Sequence, residues 1–158
     1  MSQYFWPETF RINDLAEELL RRGNKVTVLT GKPNYPQGYI YEGYNFWGCR
    51  KENYEGIEVI RVPLLPRGKG SGTRLALNYI SFVFFSCLYV LCHRQKFDVS
   101  LTFAISPITQ VYAALLHKRI LGSRAFLWVQ DLWPESVIAA GKVDSGFLYW
   151  VLTRMVKN

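Results

Sequence analysis

A parallel α/β domain is predicted for this chain by three observations. Its 158 residues suffice for one domain with a real core. Hydrophobic residues make up 49% and aromatic residues 16%, which excludes general disorder. Short β-favouring runs also alternate with helix-length segments, the pattern of a sheet covered on both faces. Right-handed crossovers make such a sheet Rossmann-like, with ligands at the carboxyl ends of its strands. Residues 2–11, 103–107 and 130–135 fall at those ends.

The elements follow in order. Residues 2–8 (SQYFWPE) read as a loop that should follow a strand. Ile12, Leu15, Ala16 and Leu19 share one face of a helix over roughly residues 10–22. Glu17–Arg21 and Glu18–Arg22 are i,i+4 pairs on its solvated side. Gly23 stops it, and Lys25–Thr30 is a short strand. Residues 31–56, rich in Gly, Pro, Tyr and Asn, form an excursion with a β-hairpin that ends in the strand Ile57–Val62. Residues 63–72 (PLLPRGKGSG) are a basic loop. An apolar helix follows at 74–93, then a strand at 97–103. Ser106-Pro107 opens a helix that runs to Leu121. Gly122 breaks it before a strand at 124–130. Residues 131–135 (DLWPE) lead into a short helix, and an apolar helix lies near 146–156.

The net charge is +7, and its distribution is uneven. Residues 59–97 carry Arg61, Arg67, Lys69, Arg74, Arg94 and Lys96 and no acid. These bases bracket Leu75–Cys92, which has no charge. Nucleic-acid binding needs bases spread over an exposed face, so no nucleic-acid partner is expected. Three readings of the apolar segment stay open: a helix in the membrane interface, a buried crossover helix, or a spanning helix. The interfacial reading makes Arg67, Lys69, Arg74, Phe82, Phe85, Arg94 and Lys96 the contacts with an anionic membrane.

Motifs for dinucleotide binding, a Walker loop and a nucleophile elbow are all absent. Cys49, Cys87 and Cys92 read as buried free thiols, and no metal site is expected. Ser106 is either a plain helix cap or part of a phosphate-binding helix end. Asp131 ends a strand, so its carboxylate either projects into the ligand crevice or caps the next helix. Trp133 is placed to stack on a sugar or a lipid chain.

Residues 3–23, VTVLTGKPNYPQG (26–38), the Gly-Tyr pair near 43–44 and VQDLWPESVIAAG (129–141) together carry a resemblance. The chain resembles the amino-terminal half of family 4 glycosyltransferases of the GT-B fold, of the O-antigen and colanic-acid type. Within that group it is most similar to bacterial N-acetyl-L-fucosamine (L-fucosamine) transferases.

The resemblance implies a retaining enzyme at the cytoplasmic face of the bacterial inner membrane, peripherally attached. It implies transfer from a nucleotide-diphosphate sugar to a lipid-linked saccharide acceptor, with no cofactor. Residues 1–158 would be the acceptor-side domain, with the first strand reduced to its last residues and the nucleotide-sugar domain absent. Such a piece is expected to be inactive alone. Carried over by position, Asp131 and Glu8 are the catalytic candidates and Arg11 a substrate-binding one; Ser106, Trp133 and Glu135, read from the residues themselves, complete the substrate-binding candidates. The alternative is a free-standing α/β module that binds a membrane or a partner without catalysis.

Overall fold

The computed structural model describes residues 1–69, 72–106, 108–131, 150, 153 and 154. Its elements are α1 (Arg11–Arg21), β1 (Thr27–Gly31), β2 (Arg50–Tyr54), β3 (Ile57–Val62), α2 (Gly72–His93), β4 (Val99–Ala104), a 3-10 turn (Ile108–Gln110), α3 (Val111–Leu121) and β5 (Arg124–Val129). The expected elements over residues 132–149 and near 146–156 lie outside the described residues.

The architecture is mixed α/β with parallel strands and helices. β1 runs parallel to β3, with Val28 opposite Val59. β4 runs parallel to β5, with Ser100 opposite Ala125. Two features differ from a single all-parallel sheet. First, β2 is antiparallel to β3 and makes an edge. It belongs to the expected hairpin, whose turn residues Glu55 and Gly56 both have positive φ (49° and 92°). That pair of angles matches the right-handed twist of the strands. Second, the strands form two ladders, β1-β3-β2 and β4-β5.

Residues 1–3 join the ladders. Ser2 N–H donates to Leu29 O (3.1 Å), and Gly31 N–H donates to Gln3 O (3.2 Å). On the other side Phe103 N–H donates to Met1 O (3.0 Å), and the Met1 amine donates to Leu101 O (2.5 Å). The stretch expected to be a loop is one, and its first residues bridge β1 and β4 through backbone hydrogen bonds.

Side chains alternate across the sheet and supply two cores. Val28, Ile57, Val59 and Phe103 meet Ile12 and Ala16 of α1 on one face. Leu29, Ile60 and Val62 meet Phe82, Tyr89 and Val90 of α2 on the other. α1 ends at Gly23 (φ 80°) and α3 at Gly122 (φ 78°), a left-handed conformation costly for other residues. Glu18 bridges Arg21 and Arg22 on the solvated side of α1.

Helix α2 decides among the readings of the apolar segment. It is long and apolar enough to cross a membrane by length and composition. Its polar residues, however, face inward. Asn78, Ser81 and Ser86 are buried, and Asn78 and Ser81 bond to the loop after β3. α2 is thus a packed helix of this domain. Its outer face is nevertheless apolar: Leu77, Ile80 (65% exposed), Phe84 (61%), Leu88 and Leu91 lie outward. Phe82, expected at a membrane, is 1% exposed and sits against Leu29 and Ile60, so that assignment is corrected. Phe85 is half-buried on the same core. The cysteines are free, but Cys49 and Cys92 are exposed rather than buried.

Candidate functional site at the carboxyl ends of the strands

The carboxyl ends of the strands are tied together by a buried polar network. Its centre is Asn34, in the loop after β1. Asn34 Nδ2–H donates to Lys32 O (3.1 Å), and Asn34 Oδ1 accepts from Arg67 N–H (3.2 Å) in the loop after β3. Asn78 of α2 donates to Leu65 O (2.6 Å) and to Asn34 Oδ1 (3.4 Å). Its own Oδ1 accepts from Gln3 Nε2–H (2.5 Å). Gln110, just before α3, accepts from Gln3 N–H (3.0 Å). Five separate segments therefore converge on one polar cluster, as burial of such groups requires.

Glu8 is a second tie. It is 2% exposed. Its Oε1 accepts from the N–H groups of Asn34 (2.8 Å) and Tyr35 (2.7 Å), and its Oε2 from Phe5 N–H (3.4 Å). Burial pushes its carboxyl up to about 7, against the N–H groups and Arg61, which favour the charged form. Both oxygens are thus engaged with the backbone, and Glu8 holds the loop at 32–38 onto the loop at 4–8.

Arg61 is a third tie. Fully buried on β3, it donates to Glu52 Oε1, to Trp6 O and to Gly31 O. Its guanidinium also lies over the Tyr44 ring (5.1 Å). The planar fork suits three acceptors in different directions, which a lysine cannot reproduce. The two loops held in this way carry cis peptide bonds at Trp6-Pro7 and Tyr35-Pro36.

Above these ties lies an aromatic and charged surface. Tyr4 stacks on Phe10 (5.1 Å between centroids) and leans on Tyr35 (5.6 Å). The Arg67 guanidinium lies over Tyr35 (4.9 Å). Burial raises the Tyr79 hydroxyl; the nearby Arg67 charge lowers it and Asp131 raises it. Tyr4 is raised in the same way, by burial first, then by Tyr79, with Arg67 opposing. Tyr4, Tyr79, Arg67 and Asp131 thus share one electrostatic neighbourhood. Ser106 Oγ–H donates to Asp131 Oδ2 (2.7 Å), which joins the ends of β4 and β5.

Two glycines set the loops' spacing. Gly68 N–H donates to Gly38 O (2.8 Å). A Cβ on Gly38 would lie 2.1 Å from Gly68 O, so the backbones touch only because that position is glycine.

The expected site residues are placed as follows. Asp131 and Ser106 come together, and Arg67 and Asp131 both act on the Tyr79 hydroxyl. Glu8 lies beneath that surface. Arg11 is exposed at the start of α1 and makes no ion pair among the described residues. Arg74 lies against Gly68 at the amino end of α2, Lys69 is exposed beside it, and Arg94 and Lys96 are exposed at the other end. Trp133 and Glu135 lie outside the described residues. Tyr4, Tyr35, Tyr79, Asn34 and Asn78 were not among the expected site residues. Asn34 and Tyr35 nevertheless lie in the stretch 26–38 that carries the resemblance, and Asn78 stands out as an amide inside an uncharged apolar run.

Among the described residues no group of three or more His, Cys, Asp or Glu side chains is placed to hold a metal. The chemistry on offer is hydrogen bonding by a carboxylate, a cation held on an aromatic ring, and tyrosine faces. Such a surface binds hydroxyl-rich or anionic ligands.

No family model matches the chain, and no solved structure matches it. It is similar to a curated Escherichia coli K12 protein described as a putative colanic acid biosynthesis glycosyl transferase, WcaI. The two are 25% identical over 134 residues, which is 84% of this chain and 32% of the relative. The chain thus spans about a third of that relative's length.

Proposed function

We propose that this chain forms the acceptor side of a retaining glycosyltransferase of bacterial surface-polysaccharide synthesis. The observation that carries the reading is the similarity to the colanic acid glycosyl transferase, which extends over 84% of the chain. The aromatic and charged surface at the strand ends supports it. The donor in this reading is a nucleotide-diphosphate sugar, with N-acetyl-L-fucosamine the transferred sugar, and no cofactor takes part. The acceptor is a saccharide on a lipid diphosphate. Arg67, held over Tyr35, faces the anionic part of the substrate, and charge developing on a leaving diphosphate needs such a cation. Asp131, fixed by Ser106, accepts from or orients an acceptor hydroxyl.

The outward stripe of α2 brings the site to its substrate. Leu77, Ile80, Phe84, Leu88 and Leu91 form an apolar face between the cationic ends Arg74 and Arg94, with no acid on the helix. That pattern suits an anionic membrane surface, here the cytoplasmic leaflet of the bacterial inner membrane. The same stripe favours the second reading, a module that docks on membrane without catalysis.

A flotation assay separates the two. Anionic vesicles are prepared with and without an undecaprenyl diphosphate-linked saccharide. The glycosyltransferase reading expects the saccharide lipid to tighten binding, and Asp131→Asn to remove that increment while plain vesicle binding stays. Equal binding to both vesicles would leave the docking module and sink the transferase reading.

A further inference from the structure

The sheet face that packs on α1 changes character along β1 and β3. Val28 and Val59 are cross-strand partners and belong to the α1 core. Side chains two residues apart share a face of a sheet. Thr30 and Arg61 therefore lie on that face further along, and Arg61 pairs in turn with Arg50 of β2. Glu52, opposite Val59, is on it too. Lys32 directly follows β1, and its carbonyl accepts from Asn34 Nδ2–H (3.1 Å). The charges that act on its ammonium are those of Arg50, Arg61 and Glu52, together with the Cys49 thiol. Three cations from three adjacent segments thus meet at one corner of the sheet.

Two of the three cations are matched. Glu52 takes Arg61 Nε on Oε1 and Arg50 Nε on Oε2 (3.2 Å). Both guanidiniums lie over the Tyr44 ring, Arg50 at 4.8 Å and Arg61 at 5.1 Å. Arg61 also donates to Trp6 O and Gly31 O. Glu8, the other carboxyl that feels Arg61, is engaged by three backbone N–H groups. Lys32 is the exception. It is 2% exposed, yet its ammonium makes no hydrogen bond or ion pair among the described residues. Arg50, half-exposed, likewise leaves Nη2 without a partner among the described residues. Burial lowers the Lys32 ammonium; Cys49 and Glu52 raise it, and the two guanidiniums lower it. A buried cation beside two others stays charged only where an anion meets it.

We infer that this corner is an anion site, which takes a phosphate monoester between the Lys32 ammonium and Nη2 of Arg50. The lysine supplies a point charge to a tetrahedral oxyanion. The Arg50 guanidinium is fixed by Glu52, by Gly43 O (2.6 Å) and by the Tyr44 ring, so its remaining nitrogen is an oriented donor. A dianion suits the charge: three cations stand here against the single carboxylate of Glu52. The site is distinct from the surface around Tyr79. Lys32 answers to Cys49, Arg50, Arg61 and Glu52, whereas Tyr79 answers to Arg67 and Asp131. It goes beyond the acceptor reading and stands apart from it. The monoester comes from a soluble sugar phosphate or from a lipid headgroup, which share this chemistry.

The test uses the full chain in chloride buffer at constant ionic strength. Calorimetric titration with inorganic phosphate and with glucose 1-phosphate is expected to show saturable binding of at least one of them. Lys32→Met keeps an apolar stem and removes the charge, and Arg50→Gln removes the oriented donor. Each is expected to weaken phosphate binding about tenfold or more. Arg50→Gln, at a half-exposed position, decides the question if Lys32→Met fails to fold. Vesicles of phosphatidic acid, a monoester, are compared with vesicles of phosphatidylglycerol, a diester. A preference for phosphatidic acid that Lys32→Met abolishes assigns the lipid source; binding of glucose 1-phosphate without that preference assigns the soluble one, and either supports the site. No saturable binding of any of these phosphates, or affinity unchanged in both variants, overturns the proposal. Loss of phosphate binding in Arg67→Gln but not in Lys32→Met places the anion on the other surface and also overturns it.

Discussion

Glu8, buried beneath the loops, gives this fold a dependence on pH. Glu8 has its carboxyl raised from 4.5 to about 7 by burial. Between those values the folded state binds the proton more tightly than the unfolded chain does. Stability from this group is therefore full below pH 4.5 and is lost as pH rises to about 7. At about 1.4 kcal/mol per tenfold change in proton affinity, the loss is about 3 kcal/mol. Glu8→Gln isolates this contribution. The amide oxygen still accepts from Asn34 and Tyr35, and the ionisable group is gone. Urea unfolding of both proteins from pH 4.5 to 7.5 gives a difference that is expected to grow by about 3 kcal/mol in favour of the variant. A flat difference would refute the reasoning. So would a falling one, which would mean that the three N–H donors hold the carboxylate charged despite its burial.

Further outcomes follow from the same structure. Gly38→Ala puts a Cβ against Gly68 O at a φ of 85° and is expected to cost about 2–4 kcal/mol in chemical denaturation, whereas Gly43→Ala, with open space, costs only the backbone term of about 1 kcal/mol. Arg61→Ala removes three hydrogen bonds, one of them the ion pair with Glu52, which keeps Arg50, and is expected to cost about 3–5 kcal/mol, with little recovery in Arg61→Lys. A variant with both Ile80→Asp and Phe84→Asp is expected to lose binding to anionic vesicles at least about tenfold while its Tm moves little, because both side chains face outward. A large fall in Tm would show that this face is part of the core.

Periodicity made the skeleton legible. The apolar face of α1, the hairpin ending at Ile57 and the glycine stops at Gly23 and Gly122 each depend on neighbours in the chain. The polar cluster does not. Gln3, Asn34, Asn78 and Gln110 meet across as many as 107 positions, and no spacing rule joins an amide in one loop to an amide in a helix. The facing of α2 was misjudged because Phe82, Phe84 and Phe85 look alike in an uncharged run. Its polar residues held the clue. Asn78, Ser81 and Ser86 recur at helical spacing, and in a helix whose outer face is apolar they mark the side that is hydrogen-bonded within the protein. The split into two ladders was hidden because alternating strands and helices do not say which strands pair; residues 1–3, a loop, link the ladders only by a few backbone hydrogen bonds.

The contact between Gly38 and Gly68 also bears on how this surface meets a ligand. It pins two loops that carry different halves of one recognition element, the Tyr35 ring and the Arg67 cation. Because the loops cannot separate there without breaking a backbone bond, the pair moves as a unit. An incoming anion then meets a charge already in position and does not have to gather a long flexible side chain from solvent. The ordering entropy of that arginine is met during folding, and binding is spared it.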